Sequence, residues 1–155
     1  MPKEPFYATV SKYVNYEDIP DWNIIGKPLA IWANTNAMLD EYYKRPDVNI
    51  GDDSVGLNIK NSMRHIVGPA LMAQVYGKDF TKTMGGLKEA KDLYSGQPFD
   101  DQVIDLRNNQ RGISYAITNP NASKEDVLEY ALDRALMDYN RDYKSWSLRD
   151  LLLGK

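Results

Sequence analysis

Asn58-Ile59-Lys60-Asn61-Ser62-Met63-Arg64-His65-Ile66-Val67-Gly68-Pro69-Ala70-Leu71-Met72-Ala73-Gln74-Val75-Tyr76-Gly77 is the stretch that decides the fold. Ile59, Met63, Ile66, Ala70 and Ala73 recur at steps of three and four residues, which places them on one stripe of an α-helix. The predicted helix starts at Leu57 or Asn58, ends at Tyr76, and has Gly77 as its stop. Gly68-Pro69 interrupts it. Pro69 has no amide to give to the carbonyl of His65, so a kink is expected there and that carbonyl needs another donor.

The same period extends in both directions. Upstream, Ile25, Leu29, Trp32, Ala33, Asn36, Ala37, Leu39 and Tyr43 give a helix from Asp21 or Trp22 to Lys44, which stops before Arg45-Pro46. Asp47 to Gly56, rich in Asp, Asn and Gly, reads as a loop. It is not a calcium loop: counted from Asp47, the required Gly falls on Asp52 and the closing Glu on Asn58. Downstream, Lys78 to Tyr94 is a third helix, weakened by Gly85-Gly86 and ended by Ser95-Gly96-Gln97-Pro98. A fourth runs from Phe99 to Ile117, with Phe99, Val103, Leu106, Ile113 and Ile117 on its apolar stripe. Asn119-Pro120-Asn121 breaks the chain. Ser123 and Asp126 then form a capping box for a fifth helix, with Val127, Leu128, Ala131, Leu132, Ala135 and Leu136 facing inward. Asn121-Ala122-Ser123 is formally a glycosylation sequon, but it reads as this turn and cap. A short last helix is expected over Ser145 to Leu153.

The expectation is an all-α protein: a single compact domain of about five helices over residues 22–155, preceded by an irregular arm over residues 1–21. The arm carries Phe6, Tyr7, Tyr13 and Tyr16 among Pro2, Pro5 and Pro20. Aromatic groups are costly to leave in water, so the arm is expected to lie on its own core or on a neighbouring chain. The C-terminal run Trp146-Ser147-Leu148-Arg149-Asp150-Leu151-Leu152-Leu153 raises the same expectation.

Composition removes several function classes. The 155 residues contain no Cys and one His, which excludes thiol catalysis, iron–sulfur clusters, Cys-type zinc sites and any multi-histidine metal centre. No metal and no cofactor is expected. A net charge of −3 argues against a surface that grips nucleic acid. Met1-Pro2-Lys3-Glu4-Pro5 does not read as a signal peptide, and no apolar run reaches the roughly 18 residues of a transmembrane segment, so neither membrane nor export is expected. The place anticipated is the cytoplasm or a virion. Phosphate loops, nucleophile elbows and zinc signatures do not occur in the sequence.

Polar residues that fall within segments patterned for burial are the candidate site: Arg64 and His65, Glu89, and Asp105 with Asn108 and Asn109. On the fourth helix Asp105, Asn109 and Gly112 are spaced four and three residues apart and so share an edge. A carboxylate and a carboxamide placed in this way can orient the imidazole of His65 from another helix, as a general base is oriented. The same residue types also build a polar network that fixes helix register, with Gly112 permitting close approach. Arg64, Arg107 and Arg111 are expected to pair with acids.

Asn61-Ser62-Met63-Arg64-His65, Ala70-Leu71, Lys88-Glu89 and Asp105-Leu106-Arg107-Asn108-Asn109-Gln110-Arg111-Gly112 together carry a resemblance. The segment resembles an uncharacterised family of small helical domains in bacterial and phage proteins, patterned D-A-F-R-H, then A-H-E, then D-L-x-N-N-x-x-G. It departs in having Asn61 for the first acid and Lys88 for the second-block His. If that family has a catalytic site, this chain keeps His65, Glu89 and Asp105 and lacks the rest, which implies a scaffold with a polar core.

The leading functional expectation is therefore a non-catalytic structural or interaction protein, phage-derived and a candidate virion component. It would contact other protein chains, as a homo-oligomer or among virion proteins, through Phe6, Tyr7, Tyr13, Tyr16 and Trp146. Arg64, His65, Asp105, Asn108 and Asn109 would be its structural polar network. The alternative is a small hydrolase, acting on cell-wall material, with His65 as base and Glu89 or Asp105 as acid or orienting group.

Overall fold

A computed structural model describes residues 26–51, 53–97 and 99–139. These are 85% helical, with no strand among them. Four helical elements are present: α1 Gly26–Tyr43, α2 Asp53–Tyr94, α3 Phe99–Thr118 and α4 Lys124–Tyr139. The aromatic arm and the C-terminal segment expected over Ser145 to Leu153 lie outside the described residues.

The expectation of five helices in one domain needs correction on both counts. The second and third expected helices form one element, α2, and the chain divides into two compact units, residues 1–49 and 50–155. In the first unit, α1 buries Ile31, Thr35, Leu39 and Tyr42, whereas Leu29 is 56% exposed. The buried stripe is thus turned by about one position from the apolar spacing read in the sequence. Thr35 can occupy it because its hydroxyl donates to the Ile31 carbonyl at 2.8 Å, which satisfies the polar atom locally.

In the second unit α2 begins at Asp53, inside the expected loop, and Gly56 packs on Ile50 in its first turn. The helix runs through Pro69, and its break comes instead at Gly77, with φ 80° and ψ 173°. That backbone region favours glycine. Gly77 divides α2 into a first arm, residues 53–76, and a second arm, residues 78–94. A straight helix would hold residues 65 and 88 about 35 Å apart at 1.5 Å per residue. Yet the charge of Lys88 bears on His65, and Gly85 and His65 both meet Asn109. The second arm therefore folds back on the first. Tyr76 and Phe80 pack on each other across the break, with ring centroids 4.7 Å apart.

The second arm ends in a glycine cap. Gly96 has φ 92°, Gln97 N donates to the Asp92 carbonyl at 3.1 Å and Ser95 N to that of Lys91 at 3.0 Å. α3 then runs parallel to the first arm, because the pairs Asn61–Asp105 and His65–Asn109 keep one offset along both helices. α4 runs antiparallel to α3, with Tyr115 stacked on Tyr130 at 4.1 Å and Arg111 paired with Asp138. Counted by arms, the second unit is an up-down-up-down arrangement of four helical segments. Gln74 closes one end of it by donating to the Ala122 carbonyl at 2.9 Å.

The first arm is the central segment. Every residue from His65 to Ala73 is buried, as expected of a helix enclosed by neighbours. Ile59, Met63, Ile66, Val67 and Leu71 are each at most 2% exposed, and each contributes about 1.5 to 3 kcal/mol by leaving water. α4 starts at the expected capping box: Asp126 N donates to Ser123 Oγ at 3.1 Å, while the Asp126 carboxylate accepts from Ser123 N at 2.8 Å.

Candidate functional site

α3 presents polar residues to the interior. Gln102, Asp105, Arg107, Asn108 and Asn109 are buried, whereas Leu106 and Ile117, expected on the apolar stripe, are 40% and 50% exposed. Only Val103 and Ile113 of that expected stripe are seen buried; the side chain of Phe99 is outside the described residues. This inversion puts two polar clusters on opposite sides of α3.

The first cluster faces the first arm of α2. His65 is 1% exposed and Asp105 2%. The imidazole lies between two α3 side chains, with Nδ1 3.1 Å from Asn109 Oδ1 and Nε2 3.4 Å from Asp105 Oδ2. Asp105 Oδ1 accepts from Asn61 Nδ2 at 3.1 Å, and its Oδ2 from Gln97 Nε2 at 3.2 Å. Arg64 donates to Asn61 Oδ1 at 2.6 Å, which turns the Asn61 amide nitrogen toward Asp105. Arg64 is thus held by a carboxamide, where an acid was expected. Lys88 pairs with Asp92 at 2.6 Å. Glu89 lies on the second arm beside Lys88, and its side chain is outside the described residues.

Burial sets the protonation of His65. Removal from water disfavours the imidazolium and takes its pKa down to about 4; the Asp105 charge and the Asn109 contact oppose this, and Lys88 and Arg64 add to it. At neutral pH the ring is neutral and has one N–H. Asn109 Oδ1 and the Asp105 carboxylate are both acceptors, so the single N–H of the neutral ring serves one of the two contacts, and both become hydrogen bonds when the ring is protonated.

The close approach that permits this geometry comes from Gly112. A Cβ built there would overlap the Ile66 carbonyl oxygen and lie 3.0 Å from its carbon and 3.1 Å from Ala70 N. The crossing falls at the turn containing Pro69, so the backbone of α3 packs directly on the part of α2 where a kink was expected.

The second cluster faces α4. Asp138, 1% exposed, is held by Arg111 through both carboxylate oxygens and lies 3.6 Å from Arg107 Nη1. Arg111 also donates to Asn108 Oδ1 at 3.3 Å. Asn108 therefore belongs with α4 and does not join His65. Asp138 was not singled out in the sequence, because one Asp near the end of an amphipathic helix carries no pattern.

A cavity of about 400 Å³ opens beside the first cluster, bounded by the first arm, the start of α3 and the end of α4, with Asp105, Asn61 and Gln97 among its lining residues. Among the described residues no group of three or more His, Cys, Asp or Glu side chains is placed to hold a metal ion. No described helix is long and apolar enough to cross a membrane. Phe6, Tyr7, Tyr13, Tyr16 and Trp146, the expected interaction residues, lie outside the described residues. Compared with known protein families, with curated proteins and with solved structures, the chain matches none.

Proposed function

We propose that the chain is a non-catalytic helical interaction protein whose buried polar residues set helix register. The observation that carries this reading is the engagement of both ring nitrogens of His65 by α3 side chains in a site almost closed to water. A general base has to offer a nitrogen to substrate, and here Nδ1 is spent on Asn109 while Nε2 faces Asp105. Polar groups that are buried and paired across helices hold one register against others.

The proposed contacts include a surface among the described residues. Met84, Leu87 and Tyr94 are 38%, 63% and 94% exposed and follow one another at steps of three and seven, so they form one stripe on the second arm. We take its partner to be a second copy of the chain or another protein of the same assembly. Following the resemblance of residues 61–112 to bacterial and phage domains, we extend the reading to a structural component of a phage particle.

The test is sedimentation of the full chain over a range of concentrations, as wild type and as Leu87→Ser with Tyr94→Ser, beside an assay for soluble fragments released from purified cell wall. Association that the double substitution weakens, without fragment release, supports the interaction reading. The second reading, a small hydrolase using His65 with Glu89 or Asp105, draws on the cavity that reaches Asp105. Fragment release by the wild type, lost in His65→Asn while the fold persists, would replace the first reading with the second.

A further inference from the structure

The whole change of direction in α2 is made by one residue. Gly77 has φ 80° and ψ 173°, and the residues on either side of it are helical, so no loop joins the two arms. The contacts that span the break have helical spacing. Tyr76 packs on Phe80, and Thr81 Oγ donates to the Gly77 carbonyl at 2.8 Å, each across four positions. Residues four apart are neighbours on an unbroken helix as well, so both contacts survive if α2 straightens. A Cβ at Gly77 would meet nothing within 4 Å. Straightening therefore changes two dihedral angles and disturbs no packing at the hinge itself.

In the straight form the second arm points away from the first, over a length of about 25 Å. α3 and α4 follow the second arm through the Gly96 cap and go with it, so the first arm loses the helices that enclose it. A second straight copy, related by a two-fold axis at the Gly77 hinge, supplies them. The contacts between the first arm and the rest of the unit are then remade between copies, with His65 of one set against Asp105 and Asn109 of the other. The same holds for Asn61 on Asp105 and for the close approach of Gly112 to Ile66. Exchange of this kind is a low-cost route to a dimer, and a short hinge invites it.

We propose that two copies of the chain exchange everything after Gly77, so that each His65 cluster in the dimer is assembled from both copies. This rests on the interaction reading and names a second copy as the partner, but it uses the core of the unit instead of the exposed Met84, Leu87 and Tyr94 stripe. The exchanged dimer has a property that a dimer held by the stripe lacks. To separate, it must open the core around His65, Ile66 and Val67, each at most 1% exposed, so it forms on refolding and persists on dilution.

The experiment is refolding of the full chain from urea at micromolar and at millimolar concentration, followed by dilution to one low concentration and sedimentation. The expected result is monomer from the first and, from the second, a dimer fraction that persists after dilution. Gly77→Ala should raise the dimer association constant about twentyfold or more, because Ala disfavours the left-handed hinge and favours the helix about fivefold in each copy. Three glycines inserted after Gly77 should lower it, because a longer hinge lets the arms fold back freely and weakens the straight helix. Leu87→Ser with Tyr94→Ser should leave the persistent dimer unchanged while removing any dimer held by the stripe, so the two readings fail separately. In a dimer refolded from one isotope-labelled and one unlabelled copy, nuclear Overhauser contacts between the His65 ring and the Asn109 side-chain amide are expected between copies. The wild-type measurements decide the matter even where Gly77→Ala does not fold. A wild type that stays monomeric after millimolar refolding, a dimer that dissociates at once on dilution, or a persistent dimer whose His65–Asn109 contacts all lie within one copy would each overturn the proposal.

Discussion

Gly112 of α3 lies against the carbonyl oxygen of Ile66 in α2, at a distance that leaves no room for a side chain. The obstacle is helix backbone, which cannot swing away as the end of a flexible side chain can. Gly112→Ala should therefore push α3 away from α2 and cost about 2 to 3 kcal/mol or more, despite the better helix propensity of Ala. Urea unfolding measures this directly; a neutral or stabilising substitution would show that the two helices do not cross at this point.

The Asp138 cluster gives the second expectation. Asp138→Ala leaves Arg107 and Arg111 without the carboxylate they share in the interior, and breaking a buried pair from one side typically costs about 3 to 5 kcal/mol. Replacing Arg111 and Asp138 together with apolar residues of similar size should recover much of the loss. Chemical denaturation of the two variants compares them.

The third concerns pH. His65 has a folded pKa near 4, below its ordinary 6.5, so the unfolded chain binds the extra proton first as pH falls. Stability contributed by the neutral ring is complete above about pH 6.5 and is lost between 6.5 and 4, by an amount on the order of 3 kcal/mol. Asp47 and Asp126 are held below the ordinary carboxylate value by Arg45 and Ser123, and their contributions fade only below about pH 3.8. Unfolding free energies at several pH values should show a slope between 6.5 and 4 in wild type that is absent in His65→Asn.

How far the sequence revealed this arrangement depends on whether a feature is local. The Gly77 stop, the Ser123–Asp126 capping box and the need for Gly112 to permit close approach follow from residues a few positions apart, and each is present. The link of His65 to Asp105 and Asn109 was also readable, because the three fall at matching positions on two helices. The buried face of α3 was not. Its apolar period points to Leu106 and Ile117, but Gln102, Arg107 and Asn108 are the residues that go inside. What reverses the choice for the arginines is Asp138, on another helix, and no periodicity within α3 can register a partner elsewhere in the chain. At Pro69 the backbone stays helical, because loss of one helical hydrogen bond is tolerated in a helix enclosed by neighbours, and it leaves the helical region at Gly77, where the stop was expected.

The central claim is that His65, Asp105 and Asn109 hold the fold together and do not perform chemistry. Thermal and urea unfolding of Asp105→Ala and Asn109→Ala, each beside wild type at pH 7, tests it most directly. Each substitution should destabilise by about 1 to 3 kcal/mol, because each leaves a buried group near His65 without its partner. Both variants unfolding at the wild-type midpoint would contradict the claim.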